Sequence, residues 1–193
     1  MAVGPILDGR LVRLRPVHVD DAAATIAIRN TPGFEVGLPR LPDDLDRQRE
    51  WIAQQRATRN DYYFCVEALT NKAISGLIGL SASSGTPGPW RESGAWEWGR
   101  WASVASDPRC AIEGASLLMY FATDLGVPGI WGRVLRANSR VLAFHERLGY
   151  TRSWTTETER YFLAEGSHVE LLHRNLGGAT PHTVSGRADR EPG

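Results

Sequence analysis

The sequence predicts one mixed α/β domain built around a central sheet. Two observations carry that prediction. Apolar runs of strand character alternate with stretches of helical periodicity, in the order strand, two helices, three strands, helix, strand, helix, two strands. The 193 residues are 42% hydrophobic and 23% charged, enough for a core that needs no disulfide or metal staple.

The elements follow in order. "GRLVRLRPV" sets Leu11, Arg13 and Arg15 against Val12, Leu14 and Pro16, a strand that stops at the proline. "DDAAATIAIRN" opens on acids and continues in alanine, a short helix. "TPGFEVGLPRLP" is a loop by its prolines and glycines. "DDLDRQREWIAQQRATRN" spaces Leu45, Trp51, Ile52 and Gln55 among polar residues, a mostly solvent-facing helix. "YYFCVEAL" and "AISGLIGLSAS" are apolar strands around "TNK", and after the loop "SGTPGPWRESG" comes the aromatic strand "AWEWGRWASV". A helix over 112–125 places Ala115, Leu118, Ala122 and Leu125 on one stripe, widened by Leu117 and Phe121. "GIWGRVLRAN" is a strand and "SRVLAFHERLG" a second apolar-faced helix. "YTRSWTTETERYFLAEGSHVELLHRNL" reads as two closing strands around "AEG". The domain is expected to span residues 1–176, and the polar, glycine-rich residues 177–193 to be a disordered tail.

Lysine plus arginine equals aspartate plus glutamate, 22 each, so bulk charge draws the chain to neither nucleic acid nor an anionic membrane. A local basic groove stays open. Cys65 and Cys110 lie far apart and in no metal-ligand spacing, so neither a metal nor a disulfide is expected, and Cys65 reads as a buried, inert thiol. "MAVGPILDGR" has no basic region followed by an apolar run, and no stretch reaches the ~18 apolar residues of a membrane helix. The expected compartment is the cytoplasm.

The stretch "RCAIEG", Arg109 to Gly114, stands between the aromatic strand and the third helix. A strand–turn–helix unit presents free N–H groups at the helix start, and these with the helix dipole bind anions. Gly114 would let a ligand approach and Arg109 would add charge; packing is the alternative for that glycine. Further on, Asn138 stands at the N-cap of the next helix and Gly149 at its C-cap.

At these residues the chain resembles the GCN5-related N-acetyltransferase (GNAT) superfamily, over roughly residues 8–176. "ANSRVLAFHERLGY" matches the family stretch N-x-x-(A/S)-(I/L)-x-x-(Y/H)-E-(K/R)-L-G-(F/Y) through Asn138, Leu142, His145, Glu146, Arg147, Leu148, Gly149 and Tyr150, with Val141 at the alanine or serine place. "LDGRLVRLRPVHVDDAAATIAIRN" resembles the opening of the branches that acetylate ribosomal proteins and amino sugars. Arg29-Asn30, "DYYFCVE" and "EWG" look most like the branch acting on amino sugars carried by nucleotides. The resemblance implies a mixed, mostly antiparallel twisted sheet of about seven strands with about four flanking helices. It also implies acetyl-coenzyme A as co-substrate, and a pyrophosphate loop of pattern (Q/R)-x-x-G-x-(G/A). That loop falls on Arg109, Cys110, Ala111, Ile112, Glu113 and Gly114. Ile112 replaces the central glycine and must offer its N–H while its side chain points away. Glu113 puts a carboxylate near the phosphates unless it turns aside.

The family passes the acetyl group directly to an amine. That requires proton removal, polarisation of the thioester carbonyl and release of a thiolate. Neither cysteine has a base beside it in a motif, so a covalent route is not suggested. Glu97 is the candidate base. Period-two alternation sets it with Gly99, Trp101 and Ser103, opposite Trp96, Trp98 and Arg100. A carboxylate desolvated by tryptophans suits a base working near neutrality. Pairing with Arg91 or Arg100 is the competing reading, and Glu67 a lesser candidate base. His145 holds the place where many members carry a tyrosine that protonates the leaving thiolate; a packed structural histidine is the alternative. Asn138 would bond near the pantetheine or cap its helix. The backbone around Val104 would polarise the carbonyl.

For the acceptor, a small-molecule primary amine, Trp98 and Trp101 offer a flat wall together with Trp90, Trp96, Trp131 and Trp154, or else pack the core. Arg29 would meet a phosphate or carboxylate on the acceptor or else form a surface ion pair, with Arg13, Arg15 and Arg40 also available to a nucleotide carrier. The competing acceptors are a protein N-terminus and an antibiotic. A third reading is a domain that binds acyl-coenzyme A weakly or not at all and acts as a scaffold. A monomer or homodimer is expected.

Overall fold

A computed structural model describes residues 3–35, 37–82 and 88–186, apart from the Pro89 side chain. Its strands are β1 (Ile6–Asp8), β2 (Val12–Pro16), β3 (Asp61–Ala68), β4 (Ile74–Ser81), β5 (Trp96–Ser103), β6 (Gly129–Leu135), β7 (Arg152–Thr155), β8 (Glu159–Glu165) and β9 (Thr183–Ser185). They form one nine-stranded sheet in the order β7-β8-β6-β5-β4-β3-β2-β1-β9. All pairs are antiparallel except β5 with β6. A parallel pair needs a crossover, and helix α3 (Pro108–Asp124) provides it.

The remaining helices are α1 (Ala22–Arg29), α2 (Leu45–Ala57), α4 (Ser139–Glu146) and α5 (Ser167–Asn175). They cover both faces of the sheet. On one face α3 buries Leu117, Leu118 and Phe121 against Leu14, Phe64, Val66 and Ile78, and α5 adds Val169 and Leu172. On the other, α1 and α2 bury Ala22, Ile28 and Ile52 against Tyr63, Cys65 and Leu77. A separate aromatic cluster of Trp90, Trp131 and Tyr161, with Trp154 against it, lies over β6 and β8. The six tryptophans therefore form no single wall.

The expected mixed, mostly antiparallel architecture is present, with nine strands rather than about seven. Three differences have physical causes. "SHVELLHRNL" is helix α5, because Val169, Leu172 and Leu176 recur at helical spacing and all three are buried. The preceding stretch is the hairpin β7–β8, closed where the Thr156 N–H donates to the Glu159 carbonyl at 2.9 Å. Within residues 177–186, expected as tail, β9 pairs with β1, and the Ala179 N–H donates to Ser116 Oγ at 2.8 Å. Residues 187–193 lie outside the described residues.

Candidate functional site

The site forms where β5 and β6 part. Their register covers only Trp96↔Ile130 and Glu97↔Trp131. Beyond that rung the β6-facing edge of β5 has no ladder partner among the described residues, and a wedge opens in the sheet. A bulge in β5 decides what faces the wedge. Gly79 pairs with Gly99 and Leu77 with Ala102, so Arg100 and Trp101 together oppose Ile78, and Arg100 takes the left-handed φ of 52°. Strict alternation is thereby broken. Trp101 joins Trp96 and Trp98 on the α3 face, and Arg100 crosses to the face of Glu97 and Gly99.

On the α3 face Trp98, Trp101, Phe144, His145, Tyr150 and Phe162 pack ring against ring, with centroids 5.2–5.7 Å apart. Trp98 Nε1, Trp101 Nε1, His145 Nδ1 and Tyr150 Oη are buried without a hydrogen-bond partner among the described residues. Burial pushes the His145 pKa down to about 4 and the Tyr150 phenol well up. His145 is thus a neutral imidazole at pH 7, not the imidazolium that an acid from this position would ordinarily use. Gly132, the first β6 residue past the last rung, leaves room for it. A Cβ there would lie 3.5 Å from His145 Cε1 and 3.7 Å from Tyr150 Oη.

Glu97 sits on that last rung but on the opposite face, between Ser81 of β4 and Trp131 of β6. Its tryptophan neighbour is therefore Trp131 rather than Trp96 or Trp98. Arg100 is taken by Asp61, and Glu97 makes no ion pair among the described residues. Glu67 is held by Arg15 at 2.8 Å, which removes it as a candidate base. Burial pushes the thiols of Cys65 and Cys110 up, Cys65 far more, so neither is poised as a nucleophile.

The stretch before α3 divides. Helix α3 begins at Pro108 with Asp107 as N-cap, so Arg109, Cys110 and Ala111 occupy its first turn and Ile112 to Gly114 belong to its body. By helix geometry the Ile112 N–H points back to the Pro108 carbonyl. It is not offered to a ligand, and its side chain packs on the core. Glu113 turns away: its carboxylate accepts the N–H groups of Arg10, Leu11 and Val12 at 2.9, 2.7 and 2.9 Å, closing the β1–β2 turn. Gly114 faces the sheet, where a Cβ would lie 3.2 Å from Val66, so packing accounts for it. Asp107 occupies the helix start, accepting the Arg109 N–H at 2.9 Å and its guanidinium at 2.7 Å. Val104 donates its N–H to Ser75 at 2.9 Å, so that group is not free to polarise a carbonyl. The unpaired edge of β5 is the remaining source. Asn138 caps α4, accepting the Val141 N–H at 3.2 Å.

Arg29 lines a cavity of ≈ 160 Å³ together with Asp44, Arg47, Trp51 and Tyr63, on the α1–α2 face. Trp98 and Trp101 lie across the sheet from it. The sequence reading missed Tyr150, Arg47, Trp51, Tyr63 and Asp107. For Asp107 a signal existed, since an aspartate immediately before a proline is a helix-start signature.

A mixed sheet whose one parallel pair parts after two rungs, with a long crossover helix after β5, is the arrangement expected of a coenzyme-dependent acyltransferase fold. The chain belongs to the acetyltransferase (GNAT) domain family, whose model matches residues 11–151. No curated protein matches it in sequence. Among solved structures it resembles apo FdhC, described as a nucleotide-linked sugar GNAT, at 22% identity and TM-score 0.71, covering 87% of this chain and 94% of that one. A GCN5-related N-acetyltransferase from Brucella melitensis matches at 19% identity and TM-score 0.67, covering 90% and 84%. A mutant of the SpeG spermidine N-acetyltransferase from Vibrio cholerae matches at 15% and 0.62, covering 83% and 96%. These likenesses show the fold. The fold implies acetyl-coenzyme A binding, and the polar groups of its pantetheine arm would suit Trp98, Trp101, His145 and Tyr150, unpartnered among the described residues. Arg109 and the start of α3 would face the pyrophosphate once Asp107 yields.

Proposed function

We propose that the protein is an acetyl-coenzyme A-dependent N-acetyltransferase acting on the primary amine of a small molecule. One observation carries this reading. At the rung where β5 leaves β6, a carboxylate without an ion-pair partner among the described residues stands on one face, and two buried unpartnered donors stand on the other. The coenzyme supplies an activated acetyl thioester. Glu97 takes the ammonium proton, directly or through water, from the α1–α2 side. His145, as a neutral imidazole, and Tyr150 donate hydrogen bonds to the departing sulfur from the α4 side. The unpaired N–H edge of β5 polarises the carbonyl. Transfer is direct, consistent with the unreactive cysteines. An amino sugar, free or nucleotide-linked, is the favoured acceptor, supported by the sequence resemblance and by the likeness to FdhC.

Thiol release from acetyl-coenzyme A across a panel of amines tests the reading. The Glu97→Gln variant is expected to lose about 100-fold or more in kcat/KM and to change the pH–rate profile. An unchanged rate and profile would remove Glu97 from the role. The capped start of α3 favours one second reading, a domain that binds the coenzyme too weakly to turn over. Calorimetry distinguishes it: no heat with millimolar acetyl-coenzyme A and a folded protein would establish that alternative.

A further inference from the structure

The cavity on the α1–α2 face is built rather than incidental. Its loop wall is clamped: Asn30 donates to the Leu41 carbonyl at 2.9 Å and accepts the Leu41 N–H at 2.8 Å, while Arg29 Nη2 donates to the Pro39 carbonyl at 3.1 Å. Trp51 and Tyr63 meet edge to face at 5.7 Å as its aromatic side, and Arg100 lies 5.0 Å from the Tyr63 centroid. Arg29 Nε is buried without a partner among the described residues. Neither Arg29 nor Arg47 has an acidic partner among the described residues. Asp44, the one acid in the lining, points its carboxylate at the Arg47 backbone N–H, 3.0 Å away, as the α2 N-cap. Two cations and one anion leave the cavity net positive, at the dipole-positive end of a 13-residue helix.

The cavity's Tyr63 and the reaction rung lie on the same face of the sheet. Tyr63 pairs with Gly79, Gly79 with Gly99, and Glu97 lies two residues along from Gly99. At ~4.8 Å per strand and ~3.4 Å per residue, Tyr63 and Glu97 are on the order of 12 Å apart. The two glycines leave that floor without side chains of its own; the Arg100 guanidinium lies over Gly79 and is held there by Asp61.

We propose that this cavity is the anion subsite of the acceptor: the substrate is a primary amine carrying a phosphate or carboxylate on the order of 10 Å from its nitrogen, held by Arg29 and Arg47 against Trp51. The proposal rests on the acetyltransferase reading and narrows its substrate class. Bidentate guanidinium recognition suits either oxyanion.

Matched pairs test it. Glucosamine is compared with glucosamine 6-phosphate, and a linear alkylamine with the ω-amino acid of equal length. The charged member of at least one pair is expected to show at least about a 10-fold higher kcat/KM, and Arg47→Gln to close that gap. Arg49→Gln, two residues along α2 and paired to Asp46 outside the cavity, is expected to leave it. Which pair shows the gap tells phosphate from carboxylate. Equal constants within both pairs, or a gap that survives Arg47→Gln, overturn the proposal. Titration of the same probes without coenzyme, read by tryptophan fluorescence, separates the two levels. Binding of a charged probe that Arg47→Gln weakens about 10-fold upholds the subsite even if no amine is acetylated, and no such binding refutes it then.

Discussion

Beneath α1, Arg15 donates to Asp21 at 2.7 Å and to Glu67 at 2.8 Å, and Asp21 also accepts the His18 N–H at 2.7 Å and lies 3.6 Å from the Cys65 thiol. Across the sheet, the wedge holds a more deeply buried cluster, in which four polar atoms of Trp98, Trp101, His145 and Tyr150 have no partner among the described residues. The two clusters differ most in satisfaction. Burial pushes the Asp21 carboxyl up, but Arg15 and the His18 N–H outweigh it and hold it below the usual carboxylate range. In the wedge nothing opposes burial, and His145 drops to about 4. A network that answers its own hydrogen bonds specifies a fold. One that leaves them open keeps capacity for a ligand, at a cost in stability.

The largest effect should come from breaking the answered cluster. Arg15→Ala leaves two carboxylates, with side chains 10% and 11% exposed, without their cation. A loss of about 3–5 kcal/mol is expected in urea unfolding at pH 7. A loss below about 1 kcal/mol would mean that water reaches both acids, and the contrast between the clusters would fail.

His145→Phe probes the open cluster with the opposite expectation. Near pH 7.5 an aromatic ring of slightly larger size is kept and the unpartnered Nδ1 is lost, so stability should change by less than about 1.5 kcal/mol. Below the unfolded-state pKa of 6.5 the sign becomes visible. The unfolded chain takes up a proton there while the folded chain refuses it until about pH 4, so the wild type loses stability as pH falls across that window. The full shift is worth about 3 kcal/mol. The variant should lack that component, measured as the difference between wild-type and variant unfolding free energies from pH 7.5 to 4. A constant difference would show that His145 is solvated or partnered.

The comparison also marks what the sequence made legible. Segment order and helical or strand period located the sheet, α3, α4 and the family motif, because these depend on local periodicity. The hairpin β7–β8 and helix α5 escape a strand-only reading because Val169, Leu172 and Leu176 satisfy a helical period within a stretch whose β-branched and aromatic neighbours suggest strands. The faces of β5 escape it because one bulge at Arg100 exchanges Trp101 and Arg100 between layers, and no local composition marks it. Glu113 looks in sequence like a liability for phosphate binding, yet its carboxylate answers three N–H groups about a hundred residues upstream. Such long-range pairings are set by topology. Glu97 and His145 are legible individually, while their placement on opposite faces of one rung requires the sheet register.

The smallest expected effect lies at the start of α3, where the open and the answered meet in one residue. Asp107 satisfies the Arg109 N–H and guanidinium as the cluster beneath α1 satisfies its own groups, but its site is exposed, and a pyrophosphate would need the same donors. The Asp107→Asn variant keeps the helix cap, since asparagine serves as well as aspartate there. It removes the negative charge that competes with the phosphates and frees the Arg109 side chain. Acetyl-coenzyme A should then bind about two- to five-fold more tightly by calorimetry at low salt, with the advantage shrinking as salt rises. Arg109→Gln in the same background should erase the gain, because the freed guanidinium is its source. An affinity unchanged by Asp107→Asn would show that the carboxylate leaves the helix start without cost, and that this end of the coenzyme site is as open as the wedge.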